Sequence, residues 1–499
     1  MFRMSCVARA RTIGPRVGAI SALALLLALN FAVRSYIAVR PLEYIDGLTI
    51  PDDAYLSLTL ARNIAQGHGP QYGGHYTNGF QPLYVFLMVP AYWAIPQDNV
   101  APVHLALLLM SLFDTLTLLL LFRLVRRLTT SAFTPVLAAL LWTFHPRIIG
   151  VAANGLETAL ACFFVTWILS YFHRYFVQAE NAPTKRRCIG LGALLGMGML
   201  ARIDCILLAA IVTTCLLWTQ KTTLRKAFGS QVLVSTSAFL AYLPWLVYSF
   251  SYTGDLYPIS GSATRFMTLE GLDAPPTFGN LYGRMLEAAV RAIAVPNTTL
   301  TYALAILLVG VLAFRHRLGR PSKGRVTLLV VGWGYAALLV CAYAFCIFGP
   351  HYFDRYLHPV RIPLLLTVAL LTDAVLSLFK TGLVQGGVAI LVAGFMLASQ
   401  CSDPYFNALL FKKSGRDLGY MNLGLWARAT FPAGTVIGGS QTGAVGYFAD
   451  HLKVVNLDGV VNKQCYESLV RRTNMQYVRE EGIQYVFGWE VNLAFLVRR

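Results

Sequence analysis

Two adjacent carboxylates, Asp52 and Asp53, stand at the head of a stretch that continues through Ala54-Tyr55, Ala61-Arg62-Asn63, Gly67-His68-Gly69 and Thr77-Asn78-Gly79-Phe80-Gln81-Pro82. The pair follows a long apolar run. Acids at a membrane boundary are costly, because lipid does not solvate them and neighbouring like charges disfavour joint ionisation, so the pair is a functional candidate. A plainer reading is as good on spacing alone: Pro51-Asp52-Asp53 ahead of an amphipathic run puts acid at the positive end of a helix dipole. A further acid, Glu157 in Asn154-Gly155-Leu156-Glu157-Thr158, is suited to tune the pair or share a metal with it, or to sit in the first turn of its own helix. With Arg202 and Arg355 these residues match what glycosyl transfer from a lipid phosphate needs. A carboxylate takes or orients the acceptor proton while the anomeric carbon loses its phosphate and becomes oxocarbenium-like, and arginine or a divalent cation stabilises the departing phosphate.

The elements that must hold these residues are membrane helices. Apolar residues make up 56% of the chain and charged residues 13%, and the apolar ones gather into blocks near the length that crosses a hydrocarbon core. A net charge of +18 would suggest nucleic acid in a soluble protein; here the basic residues sit in short loops beside apolar blocks, where they report orientation. The expected spans are 17–39, 103–122, 133–149, 156–176, 189–200, 203–218, 232–251, 300–314, 326–348, 360–379 and 383–399, about 11 in all. The 14 residues 82–95 are too short to cross and are expected to lie in the interface, with Tyr84, Tyr92 and Trp93 as anchors. This count leaves Arg123, Arg126, Arg127, Lys185, Arg186 and Arg187 in cytoplasmic loops, and Asp52, Asp53, Glu157, Asp204, Asp255 and Asp354 on the outer side. The spans 189–200 and 203–218 are short, and short or broken helices are tolerated where they line a cavity. At their junction Arg202 and Asp204 form either part of a site or a local ion pair.

Past residue 400 the composition changes. Gly-rich turns, short apolar strands and helical intervals point to a small α/β domain over 401–499, following a membrane domain over 1–400. The glycines of Gly438-Gly439-Ser440-Gln441-Thr442-Gly443 lack the strand-to-helix G-x-G-x-x-G pattern with its later acid, which argues against a dinucleotide site. The nine cysteines are scattered without zinc-like spacing.

The stretch Asp52-Asp53-Ala54-Tyr55 with Thr77-Asn78-Gly79-Phe80-Gln81-Pro82-Leu83 resembles the first outer loop of bacterial GT-C glycosyltransferases, a superfamily that includes protein O-mannosyltransferases, aminoarabinose transferases and mycobacterial arabinofuranosyl- and mannosyltransferases. Asn154-Gly155-Leu156-Glu157-Thr158, Ala201-Arg202-Ile203-Asp204, Gly254-Asp255-Leu256-Tyr257-Pro258 and Asp354-Arg355-Tyr356 extend the resemblance over most of residues 17 to 400. It implies a polyprenyl-phosphate-sugar donor, interfacial helices in the first outer loop and a catalytic acid in the Asp52-Asp53 pair, with either aspartate as the base. Arg202 and Arg355 are the expected donor-phosphate contacts. Tyr55, Arg62, Asn78, Gln81, His351 and Tyr352 are the expected substrate-binding loop residues. No cofactor is required by the pattern, and a divalent metal (Mg, Mn or Zn) is compatible with its two or three carboxylates. The acceptor class is open among glycan, lipid and protein. The expected setting is a bacterial cytoplasmic membrane, with a cytoplasmic amino terminus, an extracytoplasmic C-terminal domain and no nucleic-acid partner. The competing class is a lipid or sugar transporter or flippase whose acids bind substrate during alternating access. Against it stand the absence of an inverted repeat and the gathering of charge on one side.

Overall fold

The computed structural model describes residues 3–179, 182–219, 224–272, 274–293, 322–349, 353–412, 419–490 and 493, with side chains from residue 21 onward. The expected span over 300–314 and the expected site residues His351 and Tyr352 lie outside the described residues. Among the described residues, seven helices are long and apolar enough to cross a membrane, eight if Thr134–Phe144 and Pro146–Ala152, bent by 61° against each other, form one span. The others include Ala101–Leu128, Leu224–Thr253, Lys323–Ile347 and Gly382–Cys401. Lys185–Ala201 and Cys205–Thr219 are two shorter helices that meet at Arg202-Ile203-Asp204, as the short apolar blocks imply. This is a polytopic membrane protein.

The bent pair shows how sequence shapes the site end of the bundle. Pro146 has no N–H to offer the carbonyl of Trp142 one turn earlier, so the helix breaks at His145. The freed carbonyls of Trp142 and Thr143 accept instead from the guanidinium of Arg34 at 3.3 and 3.0 Å. Arg34 is buried and paired with Asp114 at 2.5 Å, and the Asp114 carboxylate also accepts from the Trp142 indole at 3.1 Å. An intramembrane ion pair is thereby used to close a proline break. The short helix Pro146–Ala152 then leads into a turn in which Gly155 adopts a positive φ of 68° and Asn154 caps Leu156, delivering Glu157 to the start of the helix Thr158–Phe172.

The first long loop forms the amphipathic helix Asp52–Ala65, a two-stranded ribbon (Gln71–Tyr72 with His75–Tyr76) and the helix Pro82–Ala94. Of the three aromatics expected as interfacial anchors, Trp93 is exposed, whereas Tyr84 and Tyr92 are buried in protein contacts. Tyr84 donates to the carbonyl of Gly155, and Tyr92 reaches Tyr447 at 2.9 Å. Their hydroxyls serve packing because a buried tyrosine needs a hydrogen-bond partner.

Residues 420–487 fold as a three-stranded parallel sheet with Val436–Gly439 in the middle, Lys453–Asn456 on one side and Tyr485–Phe487 on the other, interleaved with the helices Gly443–Phe448, Lys463–Arg471 and Asn474–Glu480. The middle strand reads Val-Ile-Gly-Gly; side chains at Gly438 or Gly439 would collide with Leu457, Ile483 and Phe487 from the flanking segments, so these glycines serve close packing.

Candidate active site

The helix Asp52–Ala65 holds its two leading acids about 100° apart, and they meet different surroundings. Asp53 keeps 32% of its side-chain surface open and accepts from both terminal nitrogens of Arg355, each at 3.1 Å. Arg355 lies over the ring of Tyr356 at 5.0 Å, and that ring is stacked on Tyr343 with centroids 4.4 Å apart. Arg202 is 2% exposed and behaves differently from Arg355. It grips Asp204 through two nitrogens (2.6 and 3.0 Å to Oδ2), reaches Glu157 at 3.7 Å, and donates to the Tyr343 hydroxyl and the Arg355 carbonyl. Two carboxylates therefore neutralise Arg202, and its role in this geometry is to fix Arg355 and Tyr343. Gln81 closes the set, its amide oxygen accepting from the backbone of Ile203 at 3.3 Å. Asp53, Gln81, Glu157, Arg202 and Arg355 are thus brought together from five separate segments.

Asp52 points the other way. It is buried, and its two carboxylate oxygens accept from the backbone N–H groups of Gly443 and Ala444, both at 2.8 Å. Burial pushes its carboxyl up to about 7, with the neighbouring Asp53 and Asp46 adding to the rise. Arg62, on the same helix, donates to the carbonyls of Gly446 and Tyr447 at 3.0 and 2.7 Å. The helix Gly443–Phe448 is gripped with acid at its amino end and arginine at its carboxyl end, in the sense its peptide dipoles favour. Tyr55 donates to Asp46 at 2.9 Å and packs on Tyr447 and Phe448, while Asp46 accepts from Met421 N–H at 2.8 Å. Asn78 is held by Ser249, Tyr257 and Ile259. Asp52, Tyr55 and Arg62 therefore meet the C-terminal sheet unit, and Asn78 meets the Leu224–Thr253 helix and the turn after it, away from the Asp53–Arg355 pair.

Tyr343 and Tyr356 belong to the cluster without having been singled out as site residues, and Asp204, left open between a site and a local ion pair, accepts from both Arg202 and Tyr343. Tyr343 lies in an apolar span and carried no pattern of its own. Asp204 and Tyr356 were legible as the neighbours of Arg202 and Arg355, so their spacing was the available signal. Among the described residues no three His, Cys, Asp or Glu side chains converge as a metal set. Asp53 and Glu157 are each turned to an arginine and Asp52 to two amides, so these carboxylates do not fit a shared divalent ion in this arrangement, and the steps below use the chain's own residues.

Known proteins share this fold. Residues 81–248 match the family model described as dolichyl-phosphate-mannose-protein mannosyltransferase, and residues 412–496 match a domain family of unknown function, DUF8728. No curated protein matches the chain by sequence. Among solved structures, the chain is similar to the oligosaccharyltransferase AglB from Archaeoglobus fulgidus in complex with an inhibitory peptide and a dolichol-phosphate (TM-score 0.57, 14% identity, 94% of this chain and 69% of that one). It is similar to ArnT from Cupriavidus metallidurans bound to undecaprenyl phosphate (TM-score 0.56, 12% identity, 88% and 89%). The Archaeoglobus fulgidus oligosaccharyltransferase in complex with zinc and sulfate also matches (TM-score 0.50, 13% identity, 92% and 67%). Family model and fold agree on one enzyme class, glycosyltransferase of the GT-C type. The chain is a polytopic membrane protein with the GT-C glycosyltransferase fold, and the part of it that carries Gln81, Glu157, Arg202 and Asp204 matches a protein-mannosyltransferase family model.

Proposed function

We propose that this protein is an inverting membrane glycosyltransferase that moves a sugar from a polyprenyl phosphate to a hydroxyl acceptor on the outer face of the cytoplasmic membrane, with Asp53 as the general base and Arg355 as the phosphate-binding cation. The observation that carries the reading is the partly open Asp53–Arg355 ion pair at the head of the first-loop helix, backed by Arg202, Glu157 and Asp204. The guanidinium fork of Arg355 suits a phosphate as well as it suits a carboxylate. Arrival of the donor phosphate draws Arg355 away from Asp53, and the freed carboxylate takes the proton of the acceptor hydroxyl. The acceptor oxygen bonds to the anomeric carbon on the face opposite the phosphate, the carbon–oxygen bond to phosphate breaks, and its electron pair leaves on the polyprenyl phosphate beside Arg355. Arg202 and Tyr343 are positioning residues that hold Arg355 in place.

In this reading residues 1–400 form the catalytic membrane domain, and 401–499 form an extracytoplasmic unit that Asp52, Tyr55 and Arg62 dock against the first loop. Expected partners are the lipid bilayer, a polyprenyl-phosphate sugar and a glycan, lipid or protein acceptor. The neighbours' dolichol-phosphate and undecaprenyl phosphate support a lipid-linked donor. The test is transfer by the purified protein in nanodiscs, offered radiolabelled polyprenyl-phosphate sugars with envelope acceptors, with and without chelator. Transfer from one donor, lost in Asp53→Asn, is the expected result. Binding of substrate without transfer by the wild-type chain would favour a transporter instead.

A further inference from the structure

The site has two electrical sides. Arg355 and Arg202 stand on one, and the other is built by acids at the junction with the C-terminal sheet. The carboxyl ends of that parallel sheet, the edge where open α/β sheets bind ligands, are turned onto the head of the Asp52–Ala65 helix. The loop after Val436–Gly439 supplies the two amides that hold Asp52. The loop after Lys453–Asn456, one strand over and so about 5 Å away, supplies Asp458. This second loop is pinned in place. A side chain at Gly79 would overlap the carbonyl of Val460, Gly459 turns with a positive φ of 80°, and Asn456 donates to Thr442 at 3.3 Å, while Lys463 pairs with Asp255 at 2.6 Å. Asp458 accepts from Val460 N–H at 3.0 Å and stays half-buried, as Asp53 does. Burial pushes its carboxyl up to about 7 against the hydrogen bonds from Val460 N–H and the Asn456 side chain, and the charges of Asp53 and Asp52 add a smaller rise.

Resting on the transferase reading, we propose that Asp458 is an acceptor-binding residue contributed by the C-terminal unit: it accepts a hydrogen bond from one hydroxyl of a neutral polyhydroxyl acceptor, a glycan end, and so holds an adjacent hydroxyl toward Asp53. A carboxylate there repels the donor phosphate, which leaves the acceptor as its partner. Binding one hydroxyl while another attacks requires an acceptor with at least two, which selects a glycan over a serine or threonine side chain.

The experiment uses the full chain in nanodiscs, with the active polyprenyl-phosphate sugar as donor and neutral octyl glycosides, intact or singly deoxygenated, as acceptor probes. Undecaprenyl-phosphate binding and thermal unfolding are measured on the same samples. In Asp458→Asn the glycoside KM is expected to rise about tenfold or more, the weight of one hydrogen bond to a charged group, with kcat and lipid-phosphate binding unchanged and unfolding no earlier than in the wild type. Asp458→Glu is expected to restore part of the KM, and one deoxygenated glycoside should lose its dependence on Asp458. An unchanged KM, or a loss that tracks lipid-phosphate binding or unfolding, would overturn the inference while leaving the transferase reading intact. Absence of both transfer and donor cleavage in the wild-type chain would overturn that reading and this inference together.

Discussion

Replacing Asp52 by asparagine separates the two neighbouring acids by their work. In the wild type each carboxylate oxygen accepts one backbone N–H at 2.8 Å in a buried setting. Asparagine keeps one acceptor and turns an NH2 group at the other amide. The lost charge-assisted hydrogen bond is worth about 1.5–3 kcal/mol, and the orphaned amide costs about 1–3 kcal/mol more. Against this, a carboxyl pushed up to about 7 is held at a cost near neutral pH that the neutral amide escapes. At pH 7 that relief, from a carboxyl held at about 7 instead of about 4, returns about 4 kcal/mol of the loss, which leaves a net weakening of docking of at most about 2 kcal/mol and an acceleration of up to roughly 30-fold in hydrogen exchange of the Gly443 and Ala444 amides if they exchange through undocking. Exchange read by mass spectrometry on the protein in nanodiscs measures this directly. Transfer by this variant should persist at a reduced rate, because Asp53 and Arg355 remain. Unchanged exchange at 443–444 together with complete loss of transfer would refute the reasoning and make Asp52 the reacting acid.

Substituting Gly443 by alanine attacks the same contact from the other side: the new methyl group overlaps the Asp52 carbonyl, so exchange in the helix Gly443–Phe448 should rise at least as far as in Asp52→Asn. The closure of the proline break predicts that Arg34→Leu alone costs about 3–5 kcal/mol by stranding Asp114, and that Arg34→Leu with Asp114→Leu recovers much of it; thermal unfolding in one detergent checks both. Docking should also depend on pH. Asp52 and Asp458 are both pushed up to about 7 from an unfolded value near 4, so their contribution is fully present below about pH 4 and is lost as pH rises through 7. Thermal unfolding of the C-terminal unit followed from pH 5 to pH 8 should show a falling midpoint, flattened in Asp52→Asn; a midpoint that rises with pH contradicts the assignment.

Apolar block length was enough to anticipate helices at each expected span that falls among the described residues, because crossing lipid leaves the backbone little choice. The same block lengths marked the two short helices that meet at Arg202, and short strands between glycines marked a small α/β unit, though not the parallel pairing of its strands. Within the site, Asp53, Glu157, Arg202, Arg355 and Gln81 were readable as chemistry-bearing residues in separate segments. What one dimension hid was direction. Asp52 and Asp53 are adjacent in the chain yet differ by a helical rotation that sends one to Gly443 and the other to Arg355. Arg62 and Tyr55 read equally well as substrate contacts until the C-terminal unit, almost 400 residues later, is seen to occupy them. Tyr84 and Tyr92 have the composition of interfacial anchors, and only their partners Gly155 and Tyr447 show that they are packed inside. Tyr343 had no sequence signal, since a tyrosine within an apolar span looks like any other aromatic until its hydroxyl is found between Arg202 and Asp204.

The central claim, that Asp53 is the base and Arg355 the phosphate cation, is tested most directly by single-turnover transfer from a radiolabelled polyprenyl-phosphate sugar in nanodiscs, comparing wild type with Asp53→Asn while undecaprenyl-phosphate binding is measured on the same samples. Loss of the general base should slow transfer by about 10²–10⁴-fold, with lipid-phosphate binding retained or tightened because Arg355 no longer has Asp53 as a competing partner. Transfer at the wild-type rate in Asp53→Asn would contradict the account.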